Sequence, residues 1–182
     1  MSLEDPGSSQ RGAPGVNRSF HRVGAGELDE SGWCHAASTT GGFSVSLPNV
    51  FNDFTMTPKA EDGVEIKISV VGTLNKNQVK FSAVGTSRPD GKFKVDPLKA
   101  LPDQFEKRGE LKEKHVISLG RMEGIEFRYT GGSSSGVIRL YKAPTMLYQL
   151  IVEAPNSIKP ADIEADAKRF LDSFAVEEKA QQ

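Results

Sequence analysis

A chain of 182 residues with 23 basic and 24 acidic side chains, a formal charge of -1 and a mean hydropathy of -0.41 is the size of one domain with a tail. Charges of both signs are mixed along it, so no long-range field gathers nucleic acid or anionic lipid, and both partner classes are disfavoured. No apolar run approaches the roughly 20 residues that cross a bilayer as a helix, and the single Cys34 excludes an internal disulfide.

Residues 1 to 42 hold 8 of the 18 glycines, and the stretch Gly7 to Gly15 has no hydrophobic period. Such a segment buries too little to offset its ordering entropy, so residues 1–32 are expected to be a flexible tail. Trp33 is the first large ring and the expected start of the folded domain, which runs over 33–178, with a second tail at 179–182. The start Met1-Ser2-Leu3 followed by polar residues reads as engineered, which implies a trimmed leader or an upstream lipid anchor.

Phe43, Val45 and Leu47 alternate with serines up to Pro48 and predict a half-buried strand. A second run of period two covers Phe51 to Thr57, and a third carries Val64, Ile66, Ile68 and Val70. Asn75 to Gln78 supply a turn into a partner strand over Val79 to Gly85. After Pro89-Asp90-Gly91, Asp96-Pro97 has the form of an N-cap with proline at the first helical position, and Gly109 that of a stop. Pro102 conflicts with a start at Pro97, so Leu101 is an alternative start.

The run Lys112-Glu113-Lys114, followed by His115, reads as a solvated turn before a short strand at Val116 to Leu119. A hairpin follows whose loop, Gly131 to Gly136, would pair Thr130 with Val137 and so set Arg128 against Arg139 and Glu126 against Tyr141. Facing arginines repel, so that register calls for a nearby carboxylate, an anion or simple solvation to offset them, and Glu126 is the closest carboxylate in sequence. Met146 to Glu153 is apolar on both faces, as a covered central strand must be. Pro160 to Phe174 places Ile163, Ala167, Phe170, Leu171 and Phe174 at helical spacing, a helix packed on the sheet.

In combination, Trp33, the run Gly41 to Pro48, Gly120 to Phe127, Ile138-Arg139-Leu140-Tyr141, Leu147-Tyr148-Gln149-Leu150 and Arg169 to Phe174 resemble small bacterial envelope (lipo)protein domains of the PsbP-like, Mog-type class. The resemblance spans about residues 33 to 176. It implies an α+β fold, an antiparallel sheet of about six to seven strands with helices on both faces in an α/β/α sandwich. It also implies a non-catalytic binding or assembly module, outside the cytoplasm, in the cell envelope or secreted. The alternatives are a small hydrolase or lipid- or small-molecule-binding protein with a cleft between sheet and helix, and a cytoplasmic GTPase partner by analogy with the factor that binds Ran.

No residue pattern assigns chemistry. His21, His35 and His115 lack metal-ligand spacing, and the Gly131 to Gly136 loop lacks the lysine and helix of a phosphate cradle. Cys34-His35 sits beside the tail, a poor place to preorganise a nucleophile. No catalytic residue, metal or cofactor is therefore expected. The candidate ligand or partner face is Glu126, Arg128, Arg139 and Tyr141.

Overall fold

A computed structural model describes residues 17–24, 27–60 and 62–177. The expected tail 1–32 lies in part, and the tail 179–182 wholly, outside these residues. The strands are β1 (Asn17–Gly24), β2 (Trp33–Ala37), β3 (Phe43–Pro48), β4 (Phe51–Thr57), β5 (Lys67–Leu74), β6 (Lys80–Ser87), β7 (Leu111–Leu119), β8 (Met122–Gly131), β9 (Ser134–Lys142), β10 (Met146–Pro155) and β11 (Ala175–Val176). Two helices, α1 (Pro97–Lys107) and α2 (Pro160–Asp172), complete the described elements.

Antiparallel pairing arranges eight strands in the order β1-β4-β5-β6-β10-β9-β8-β7, and a second sheet is β11-β3-β2. The expected α/β/α sandwich with helices on both faces is overturned. The chain is mostly β, and the second sheet, not a helical layer, supplies Trp33, Ala36, Phe43, Val45 and Leu47 to the core against Val71, Phe81, Ala83, Tyr148 and Leu150 of the large sheet. The division arises at Asn49, whose φ of 80° puts it in the left-handed region. Asparagine tolerates that region, and here it turns the chain out of β3 in one sheet and into β4 in the other. Period-two patterning marks both β3 and β4 but cannot reveal that these neighbours in sequence part company.

β10 is the central strand, flanked by β6 and β9, with Tyr148, Leu150 and Val152 fully buried on one face and Leu147 and Ile151 partly covered on the other. β5 is buried on both faces at Ser69, Val70 and Val71. Its inner hydroxyls are satisfied: Ser69 bonds the Thr40 hydroxyl at 2.8 Å and Thr73 donates to the Val50 carbonyl at 2.6 Å.

α1 begins at Pro97, with Asp96 accepting from the Leu98 amide, and it absorbs Pro102 as its one fully buried residue at the loss of a single helical bond. Leu98, Leu101 and Phe105 pack on Ile125, Phe127, Tyr129, Ile138 and Leu140. α2 stands beside the small sheet, burying Ala167, Phe170 and Leu171. Its end is tied there because the Ser46 amide donates to the Ser173 hydroxyl at 2.7 Å and β11 pairs with β3.

The segment read as a solvated turn at Lys112 to His115 is instead part of β7, the edge of the large sheet. Cys34, read as lying beside a tail, is 3% exposed on β2, its thiol 3.2 Å from the Asn49 carbonyl.

Among the described residues the Tyr148 hydroxyl is buried without a hydrogen-bond partner. An unmet buried hydroxyl costs roughly 1–3 kcal/mol. Tyr148→Phe should therefore leave stability unchanged or raise it by about 1 kcal/mol in urea unfolding, whereas a loss of that size would mean the hydroxyl is bonded.

Candidate functional site

The β8–β9 hairpin closes through the two residues Gly132 and Ser133, with Gly132 at φ 52°, and not through a six-residue loop. The expected register is corrected accordingly: Glu126 faces Arg139, Arg128 faces Val137 and Gly124 faces Tyr141. The correction moves partners by an even number of residues, so the apolar and charged faces survive while their pairs change. A tight turn that sets a carboxylate against Arg139 is favoured over one that opposes two guanidiniums.

Glu126, Arg128, Arg139 and Tyr141 do come together, on the face over which α2 lies. Arg139 is 19% exposed, and its Nε donates to the Glu126 carboxylate while a terminal nitrogen reaches Asp172 of α2 at 2.8 Å. Arg128 is 36% exposed and holds Glu164 with both terminal nitrogens, at 3.2 and 2.9 Å, with Glu113 at 3.7 Å from its Nε. Tyr141 is buried and stacks on Phe174, the ring centres 5.8 Å apart and the planes 2° from parallel. Gly124 makes room for that ring, since a Cβ there would come within 2.6 Å of it.

These contacts set the charge states. The bond to Glu164 raises Arg128 above its ordinary value, against the opposing cost of burial. Burial disfavours the Arg139 cation, yet its bonds to Glu126 and Asp172 leave it raised. Burial pushes the Tyr141 hydroxyl up, the Arg139 charge opposing it. Lys168 and then Arg139 hold the Asp172 carboxyl below the usual carboxylate range. A lowered folded value means that this contribution to stability is present above the ordinary Asp range near about 4 and is lost as pH falls through the lowered value.

Beside this face, α2 and β8–β10 enclose a cleft of about 470 Å³. Val137, Val152, Ile163 and Ala167 give it an apolar lining, and Lys112, Glu113, Arg128 and Glu164 line it with charge. A bulge between Leu111 and Glu113 lets the consecutive Lys112 and Glu113 both line it, which regular alternation forbids. Tyr129 also lines it and donates to Glu153 at 2.8 Å; its ring lies against Gly136, where a Cβ would approach the ring to 3.1 Å. The Arg128–Glu164 pair separates this cleft from a 150 Å³ cavity lined by Glu126, Arg139 and Leu171.

Sequence reasoning located the four face residues but missed Ile163, Glu164 and Ala167 as partners in a cleft. The 3.6 period of α2 marks Ile163 and Ala167 only as buried, and nothing local pairs Glu164 with Arg128. The histidines are apart: His21 bonds Thr55 at 2.7 Å, His35 is exposed on β2 and His115 lies on β7. Among the described residues no three His, Cys, Asp or Glu side chains are grouped to hold a metal.

No family model and no curated protein matches this chain. Among solved structures it is similar to the solution structure of cyanobacterial PsbP (CyanoP) from Synechocystis sp. PCC 6803, at 12% identity and a TM-score of 0.54, over 84% of this chain and 97% of that one. That likeness supports a PsbP-like fold, and at this identity it carries the fold alone.

Two ion pairs on one face should differ in strength. The Arg128–Glu164 pair is open to water and should couple by about 0.2–1 kcal/mol, whereas Arg139–Glu126, largely desolvated and directly cross-strand, should reach about 1.5–3 kcal/mol. Double-mutant cycles to alanine, read by urea unfolding, measure both, and equal values would show that burial does not rank them.

Proposed function

We propose that this chain is a non-catalytic binding or assembly module of a bacterial cell envelope, and that the α2–sheet cleft is where it holds its ligand or partner. The observation that carries the reading is the cleft: its apolar lining lies beside Arg128, which is already committed to Glu164 and Glu113, an arrangement suited to holding a molecule. Catalysis at neutral pH calls for an acid or base tuned toward working pH. The resolved shifts around the cleft run the other way, with Arg128 and Tyr129 both raised and so fixed in their ordinary states at neutral pH. The extracytoplasmic placement rests on the PsbP-like resemblance of the sequence, and the likeness to cyanobacterial PsbP supports the same fold.

Filling the cleft tests this. Ile163 is partly buried and lines it, so Ile163→Trp occupies its volume while keeping an apolar helix face. Protein purified from a bacterial envelope fraction and examined by native mass spectrometry should carry a bound molecule that falls about tenfold in Ile163→Trp, the equivalent of about 1.4 kcal/mol. Equal retention by both proteins, or none by either, would count against the cleft.

A further inference from the structure

The large sheet ends at β7, a nine-residue strand with no described strand on its outer side. Such an edge presents unpaired backbone groups to any second strand, and proteins usually blunt it with charge, bulges or proline. Here the protection is confined to one half. Lys112, at the bulge, and Lys114 guard the first half, but Val116-Ile117-Ser118-Leu119 carries no charge, and Val116 is 89% exposed.

Backbone geometry decides which groups are available. Leu119 pairs with Met122 across the two-residue turn Gly120-Arg121, so Leu119, Ile117, His115 and Glu113 direct their amides and carbonyls to β8. The contact at the other end agrees, because the Thr130 amide donates to the Glu110 carbonyl at 2.9 Å and the bulge accounts for the extra residue between. Ser118, Val116 and Lys114 therefore direct theirs outward. Their side chains share the face that carries Ile125 and Phe127.

We propose that two copies of this chain join through their β7 edges, antiparallel about a two-fold axis at Val116. Such an axis stands perpendicular to the sheet and keeps each face continuous, so opposed residues must share a face. That leaves a short set of registers. An axis at Glu113 opposes two glutamates, one at Lys114 two lysines and one at His115 two imidazoles, each a like pair. The axis at Val116 opposes Val116 with itself, Lys114 with Ser118, His115 with Ile117 and Glu113 with Leu119. It sets no like charges against each other, and it joins the outward backbone of Val116, Lys114 and Ser118 from both copies. An axis at Ile117 also avoids like charges but pairs a shorter length. The product is one continuous sheet of sixteen described strands, eight from each copy. The two β7 strands lie at its centre, and the exposed valine is covered by its own image.

Sedimentation velocity over concentrations up to about 1 mM, where a single-edge contact of modest area becomes visible, reads the association. The mass should rise toward that of a dimer, and Val116→Lys, which opposes two lysines at the axis, should weaken it at least about tenfold. Because Val116 is exposed, the fold of that variant should be intact, which an unchanged circular dichroism spectrum and thermal midpoint confirm. The register has its own readout. Paired α-carbons across such an axis lie about 5.5 Å apart, within reach of a disulfide, so Val116→Cys should crosslink to itself under mild oxidation. Lys112→Cys, well away from the axis, should not. A wild-type protein that stays monomeric throughout would overturn the proposal, and so would a dimer that Val116→Lys leaves intact or that crosslinks at residue 112 in preference to 116.

Discussion

Two phenylalanines, Phe170 in the closing helix and Phe174 just beyond its end, hold the layers of this molecule together. Phe170 of α2 meets Phe81 of β6 edge-on at 5.6 Å, and Phe174 just beyond the helix touches Tyr141 of β9, Tyr148 of β10 and Phe43 of β3 within 6.1 Å. Four strands from two different sheets thus converge on two side chains. Full burial of such a ring stabilises by roughly 1.5–3 kcal/mol, and aromatic pairs add about 0.5–1.5 kcal/mol each. The small sheet contributes Phe43 directly and Trp33 through its edge contact with Phe81 at 6.1 Å, so its position also depends on this cluster.

Polar contacts finish what the rings begin. Arg169 lies 4.5 Å over the Trp33 ring and bonds both Ser31 and Asp29, while Asp29 accepts from the Ser31 and Trp33 amides. The Ser31 hydroxyl, which donates to Asp29 at 2.6 Å, and then the Trp33 amide and Arg169 hold the Asp29 carboxyl far below its ordinary range, and together these bonds fasten the approach to β2 onto α2. On the sheet side, Arg128 and Arg139 reach the same helix at Glu164 and Asp172. The cleft exists because these straps fix α2 at both ends while the small residue Ala167 faces the sheet between them.

Much of this was legible in residue patterns. The alternation of Phe43, Val45 and Leu47, the doubly apolar β10 and the spacing of Phe170 and Phe174 each reflect burial, which acts locally and leaves a local record. What stayed hidden was set by single backbone positions or by distant partners. Asn49 decides that β3 and β4 belong to different sheets, and Gly132 decides the hairpin register. β1 lies in a Gly-rich stretch with little apolar period, and the first half of β7, Lys112 to His115, reads as a charged turn because an edge strand needs few buried residues, whereas its second half, Val116 to Leu119, is legible as a strand. The face Glu126, Arg128, Arg139 and Tyr141 was found because parity survives a shift by two. Its pairing with α2 was not, since Glu164 and Asp172 are ordinary surface residues until the helix is placed.

If the two phenylalanines join the layers, α2 and β3 cannot open separately. Native-state hydrogen exchange measures this directly: the slowest amides of α2 and β3 should share one opening free energy, and Phe170→Leu should lower both by the same amount within about 0.5 kcal/mol. An α2 whose amides open at lower free energy, with β3 unmoved by the substitution, would contradict the account.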